Sequence, residues 1–233
     1  IRIIMTLPTN APLPIGSGER LSGDVPTDGM LNQVTPLIPS ELEHLPESHT
    51  TMDKLSREDW TQLMQYRKLY HQEEQAKQAL EMLAVQKDTP SYGFRINNYR
   101  HSLQSATMVY RDGGDDEDVV VALFHDIGFV VCPDNHGEFS ATMLANYVSE
   151  QNYWMLRNHA VFGNYHAQTH PTVDWNSREK LRGHPHFEYT ANWVARYDQT
   201  SIQTQYDTAP LEFFEPIVHR VFNRPSKGNT TPS

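Results

Sequence analysis

The stretch DDEDVVVALFHDIG, residues 115–128, decides the reading of this chain. Acidic residues open it, as the positive end of a helix favours. The apolar run Val119–Phe124 then leads without a polar break into His125 and Asp126. An unpaired imidazole or a bare carboxylate beside so much apolar surface is costly, and a metal ion removes that cost for both. Neighbouring side chains on a helix diverge by about 100°. A His–Asp pair that serves one centre therefore predicts a helix end here, with Gly128 freeing the backbone.

Working outward, residues 54–86 carry apolar side chains at roughly helical spacing, among them Trp60, Leu63, Met64, Leu69, Ala76, Leu80 and Leu83, with Ser56 as the cap. NYRHSLQSATMVYRDGG predicts a second helix, stopped by Gly113 and Gly114. DDEDVVVALFHDIG is the third, EFSATMLANYVS the fourth and SEQNYWMLRNHAVF the fifth. REKLRG, PHFEYTANWVARYDQTS and LEFFEPIVHRVFN supply further helical stretches. No segment alternates with period two and none repeats, so the expected class is all-α. The expected division is an irregular extension over residues 1–55, a helical bundle over 56–224 and a tail over 225–233. The extension is rich in Pro, Ser, Thr and Gly and cannot offset its chain entropy alone; VTPLIPSELEHL within it reads as a short docked segment.

The formal net charge of −10 disfavours a nucleic-acid backbone or an anionic membrane as partner. No apolar run reaches the length of a membrane span. The first residues lack the apolar core of a secretory signal, and Met5 fits a native initiator. A cytoplasmic protein acting on a small molecule is the expectation, and the NTT at Asn229 is read as no glycosylation site. Twelve histidines stand beside a single cysteine, Cys132. No intramolecular disulfide can form, and a metal site here is built from imidazoles and carboxylates, a set that suits Fe, Mn, Zn, Ni or Cu and excludes thiolate zinc.

The candidate ligands are His101 in YRHSLQ, His125 and Asp126, His136 in DNHGEFSA, His159 in RNHAVF and Asp198 in ARYDQTS. Each sits among apolar residues. The pattern H…HD…D carried by His101, His125, Asp126 and Asp198 resembles the HD-domain superfamily over roughly residues 88–222, and His136 and His159 resemble the additions of its dinuclear branch. The resemblance implies a helical bundle around two metals. One metal would take His101, His125, Asp126 and Asp198, and the other Asp126, His136 and His159.

Two chemistries occur in that superfamily: metal-dependent phosphohydrolysis, and O₂-dependent oxidation at a mixed-valent Fe(II)/Fe(III) pair. YRHSLQSA, with Gln104, resembles the first-histidine helix of the organophosphonate dioxygenases, and RGHPHFEYT followed by ARYDQ is similar to a set grouped with them. Phe129 departs from the Lys or His that hydrolases and inositol oxygenase carry at this point, which removes a donor for phosphate. The branch's Tyr–Glu gate is matched only by Tyr92; Phe94 and Arg95 stand where the Glu would fall. The resemblance implies a diiron oxygenase using O₂ on a small hydroxylated substrate, most readily an organophosphonate, with C–P cleavage. The diiron centre would carry the chemistry, with no separate protein base. The alternatives are a phosphohydrolase on the same ligands and a non-catalytic protein in which metal only holds the helices.

Substrate contacts are expected from Tyr92, Gln104, Phe129, His166, Arg182, His186 and Arg196, with His184 beside them; Arg suits a phosphonate or carboxylate. The aromatic run Phe162, Tyr165, Trp175, Phe187, Tyr189, Trp193 and Tyr197 is core, or in part a cage for a trimethylammonium group. His166 and His170 are read as supports for the ligands or substitutes for them. Asp134 and Glu138 are expected to orient His136. His44, His49, His71 and His219 are placed outside the site.

Overall fold

In the computed structural model, residues 34–227 are described. The readings of Met5 and Asn229, and most of the extension, lie outside them. The chain divides into two compact units, Ile1–Pro36 and Leu37–Ser233; the helices and the candidate site all belong to the second.

The fold is all-helical, with seven α-helices and no strand among the described residues: α1 (Arg57–Ala84), α2 (Asn98–Arg111), α3 (Asp116–Phe124), α4 (His136–Leu144), α5 (Glu150–Gly163), α6 (Phe187–Trp193) and α7 (Leu211–Phe222). A π-helix, Val194–Asp198, extends α6. No helix among the described residues is long and apolar enough to cross a membrane.

Capping chemistry sets the starts. Ser56 and Asp59 form a reciprocal box at α1, and Asp115 and Asp118 another at α3. Asn97 caps α2 and Ser149 caps α5 by accepting a backbone N–H three residues on. The cap at Ser149 also explains why the fourth helix is shorter than its sequence suggests. The chain must turn before it, and the N–H groups of Tyr147 and Val148 both fold back onto the Leu144 carbonyl.

α3 is the axis of the bundle. Val120 through Phe124 and Ile127 have no solvent access, because α2, α5 and α7 pack around this short helix. Fully burying each large apolar side chain contributes about 1.5–3 kcal/mol, so an unbroken apolar run settles at the centre. α1 meets the core only through its C-terminal half, at Ala76, Ala79, Leu80 and Leu83. Trp60 and Met64, read from the sequence as part of the same stripe, are 43% and 72% exposed. The first half of α1 is joined instead to residues before it. Tyr66 O–H donates to the Glu43 carbonyl, and His49 Nε2 lies 3.0 Å from Asp59 Oδ2.

The turn after α3 is held from two sides by buried amides. Gln86 Nε2 donates to the Ile127 carbonyl at 3.0 Å. Asn98 Nδ2 donates to the Asp126 carbonyl and to Gln86 Oε1, both at 3.0 Å. A buried carbonyl that loses its donor costs about 1–3 kcal/mol. Replacing Gln86 with Met keeps the volume and strands the Ile127 carbonyl and one Asn98 donor. The expected loss of unfolding free energy for Gln86→Met is of that size, ~1–3 kcal/mol by urea denaturation. An unchanged urea midpoint would show that this network does not hold the turn.

Candidate metal centre

The six residues proposed as ligands come from five places in the chain and meet at one point. His101 lies in the first turn of α2, His125 is the C-cap of α3, Asp126 follows it, His136 opens α4, His159 lies in α5 and Asp198 ends the π-helix. The helix does end at Phe124, so His125 and Asp126 stand in a turn and aim inward together.

Asp126 divides the donors into two groups. Its Oδ2 lies 3.5 Å from His101 Nε2 and 3.8 Å from His125 Nε2. Asp198 Oδ1 joins that group at 3.4 Å from His101 Nε2 and 3.6 Å from His125 Nε2. The Oδ1 of Asp126 lies 3.2 Å from His136 Nε2 and 3.1 Å from His159 Nε2. The imidazoles also crowd each other, with Nε2–Nε2 separations of 3.0 Å for His101 and His125 and 3.1 Å for His136 and His159. Among the described residues, His101, His125 and Asp198 form one group able to hold a metal ion, and His125, Asp126 and His159 another.

The other ring nitrogens show which atom is free to ligate. His125 Nδ1 lies 2.8 Å from the Ala122 carbonyl, His136 Nδ1 2.6 Å from that of Pro133, and His159 Nδ1 2.7 Å from that of Leu156. In each case the partner is the carbonyl three residues earlier. His101 Nδ1 lies 3.0 Å from both the carbonyl and the hydroxyl oxygen of Ser201. A carbonyl only accepts, so Nδ1 carries the proton and the neutral ring turns a lone pair inward at Nε2. Four such lone pairs and two carboxylates then face one another, an arrangement that needs positive charge at its centre. A transition-metal cation fits it: the donors are all nitrogen and oxygen, and the rings are oriented by outer hydrogen bonds.

Without a cation, protons at Nε2 supply the missing charge and let the rings donate to the carboxylates, and the deficit shows in the acid–base behaviour. Burial pushes the His101 ring down, but its hydrogen bond with Asp198 and the charges of Asp126 and Asp198 outweigh this and raise it to about 9. His136 is raised as well: burial opposes the shift, and the hydrogen bond and charge of Asp126 overcome it. Burial raises the carboxyl of Asp126, yet the His125 charge and the hydrogen bonds from His136 and His159 hold it well below the usual range. Asp198 is likewise lowered, burial being outweighed by hydrogen bonds from His101 and His125.

Two glycines allow the close approach. A Cβ on Gly137 would fall 2.8 Å from the Leu156 carbonyl and 3.3 Å from the His159 ring, so α4 can lie against α5 only with Gly at this point. A Cβ on Gly128 would fall 2.9 Å from that of Phe139. Neither contact was read from the sequence, nor was Ser201. That fully buried residue orients His101, donates from Oγ to the Asp198 carbonyl at 2.8 Å, and has its Oγ 2.7 Å from Ser105 Oγ.

A cavity of about 430 Å³ opens onto His101, Asp126 and Asp198. Of the expected substrate contacts, Tyr92, Phe129 and His166 line it, joined by Phe94 and Ile202, which were not assigned that role. The others are engaged elsewhere. Gln104 is fully buried and spends its amide on the backbone of Gln203, donating at 2.8 Å and accepting at 2.9 Å. Arg182 pairs with Glu179 and Glu188, and Arg196 with Asp112 at 2.8 Å. His184 stacks on Trp154, with His186 beside both. His170 is exposed and accepts N–H groups of its own loop. His136 takes its orientation from Pro133, not from Asp134, which is exposed, or Glu138, which pairs with Arg157. Most of the later aromatics are engaged within the fold. Phe162, Phe187 and Trp193 are core, the Arg178 guanidinium sits 3.3 Å over the Tyr165 ring, and Tyr189 O–H donates to Asn152. Cys132 is free and takes no part, its thiol facing the Gly128 carbonyl.

No family model and no curated protein matches the chain, so the functional reading rests on these residues.

The raised imidazole of His101 gives a test with a definite sign. Its folded value of about 9 exceeds the ordinary 6.5, so the metal-free folded chain holds a proton that the unfolded chain releases between these values. That stabilisation is complete below about 6.5 and is lost as pH rises through about 9. The thermal midpoint of metal-free protein is expected to fall across this window. The rise in midpoint on adding Zn²⁺ is expected to grow across it, because the cation no longer competes with the proton. A midpoint gain that shrinks with rising pH would contradict the assigned ligands.

Proposed function

We propose that the chain is a member of the HD-domain superfamily and a mixed-valent diiron oxygenase, which uses O₂ to oxidise a small hydroxylated substrate. The observation that carries this reading is the division of donors between the two oxygens of Asp126. Three donors lie on the Oδ2 side and two on the Oδ1 side, an arrangement suited to two ions sharing one carboxylate. Bound there, two irons would activate O₂ and anchor the substrate's oxygen donors.

The protein's own part is positioning. His101, Asp126 and Asp198 line the cavity, whereas His136 and His159 are buried and do not, so substrate entering it would meet the Oδ2 side. Phe129 packs edge-on against His136 at 5.2 Å and against Tyr92 at 5.1 Å, placing an apolar ring where a phosphate-binding hydrolase needs a donor. Among the described residues no Lys or Arg lines the cavity. Both features favour oxidation over phosphohydrolysis on the same ligands. Gln104, Arg182, His186 and Arg196 do not line the cavity, so the part of the expected organophosphonate that the site suits is its hydroxylated, chelating head.

Protein purified without added metal is expected to hold two irons per chain and, after partial reduction, to give the half-integer-spin EPR signal of a mixed-valent pair. Asp126→Ala should lose both irons and His159→Ala about one. A redox-silent ion such as Mn²⁺ or Mg²⁺ in their place, with turnover of phosphate esters, would replace the oxygenase reading by the hydrolase one.

A further inference from the structure

Building on the metal-site reading above, we infer that the substrate pairs a small oxygen-donor head, which meets the metal side of the cavity, with a largely apolar tail that carries no anionic group. The wall beyond His101, Asp126 and Asp198 is contributed mainly by Tyr92, Phe94, Ile96, Phe129 and Ile202. Tyr92, Phe94 and Ile202 are 63%, 60% and 42% exposed, so a ligand that covers them removes apolar surface from water.

The polar residues of the wall have little to offer an anionic tail. Asn97 Nδ2 already donates to the carbonyls of Lys87 and Thr89, at 2.8 and 3.0 Å. Asn98 Nδ2 is taken by Gln86 and the Asp126 carbonyl, and Gln199 Nε2 by the Ala195 carbonyl at 2.9 Å. Burial and the Arg178 charge push the His166 ring down. Arg178 itself is stacked on Tyr165 and does not line the cavity. Arg95 and Arg100 line a neighbouring groove that shares Ile96 and Asn97 with it. A phosphonate tail would thus be desolvated with no Lys or Arg beside it, which is costly.

The test uses the full chain loaded with redox-silent Zn²⁺, titrated calorimetrically with three probes. Mandelate, glycolate and 4-carboxymandelate share a hydroxy-carboxylate head; glycolate lacks the phenyl ring, and 4-carboxymandelate adds a negative charge at the far end of it. Mandelate is expected to bind at least roughly tenfold more tightly than glycolate, and more tightly than 4-carboxymandelate. Ile202→Arg, at an exposed wall position, should narrow or reverse the order of mandelate and 4-carboxymandelate. Equal affinity for mandelate and glycolate, a preference for 4-carboxymandelate over mandelate, or no binding by any probe would overturn the inference. Because Zn²⁺ does no redox chemistry, these results are independent of whether iron and O₂ are used. A chain that holds iron but shows no mandelate preference would refute the tail and leave the oxygenase reading intact.

Discussion

The carboxylate of Asp126 is the constraint around which this structure is arranged. Its two oxygens face different sets of imidazoles, and to reach both it must follow a helix buried from Val119 onward with its backbone fixed. Three parts of the fold serve that need. α3 is packed on all sides, the amides of Gln86 and Asn98 hold the turn, and Gly128 lets that turn lie against Phe139. Each imidazole is fixed in turn by a backbone carbonyl, so orientation at the site comes from main-chain geometry more than from charged partners. The bundle and the centre are in this sense one object: moving α4 from α5 would separate His136 from His159, and moving α2 from α3 would separate His101 from His125.

The all-helical class was legible because the apolar spacing is helical everywhere and alternates nowhere. The run Val119–Phe124 before His125 and Asp126 also announced both a buried helix and its end. The convergence of the six candidate residues was legible for a different reason: each member is a polar residue set in an apolar stretch, where only a shared cation or a matched partner removes the cost. The contacts that orient the ligands were not. Pro133, Leu156 and Ala122 act through carbonyls, which every residue has, and Ser201 lies 100 positions from the ring it orients. Gly137 matters only because another helix passes close by. Arg182 and Arg196 looked like substrate holders by type and by nearness in sequence to Asp198. Their nearest acids, Glu179, Glu188 and Asp112, were equally visible, and the structure pairs them.

The cavity joins these threads. One side is the half of the centre that remains partly accessible, and the rest is aromatic and aliphatic surface whose amide neighbours are committed to the backbone. The cluster of candidate ligands and an apolar surface therefore sit side by side, with Phe129 touching both Tyr92 and His136. A site of that make-up would distinguish substrates through shape and desolvation, and would leave the binding of charge to bound metals.

The most direct measurement of the central claim, two ions sharing Asp126, is X-ray absorption at the iron edge on iron-loaded protein. The expected result is an Fe–Fe scattering path at about 3.5–4 Å, the spacing of paired-metal sites, that disappears in Asp126→Ala. A first shell of nitrogen and oxygen with no metal–metal path in fully loaded protein would contradict it.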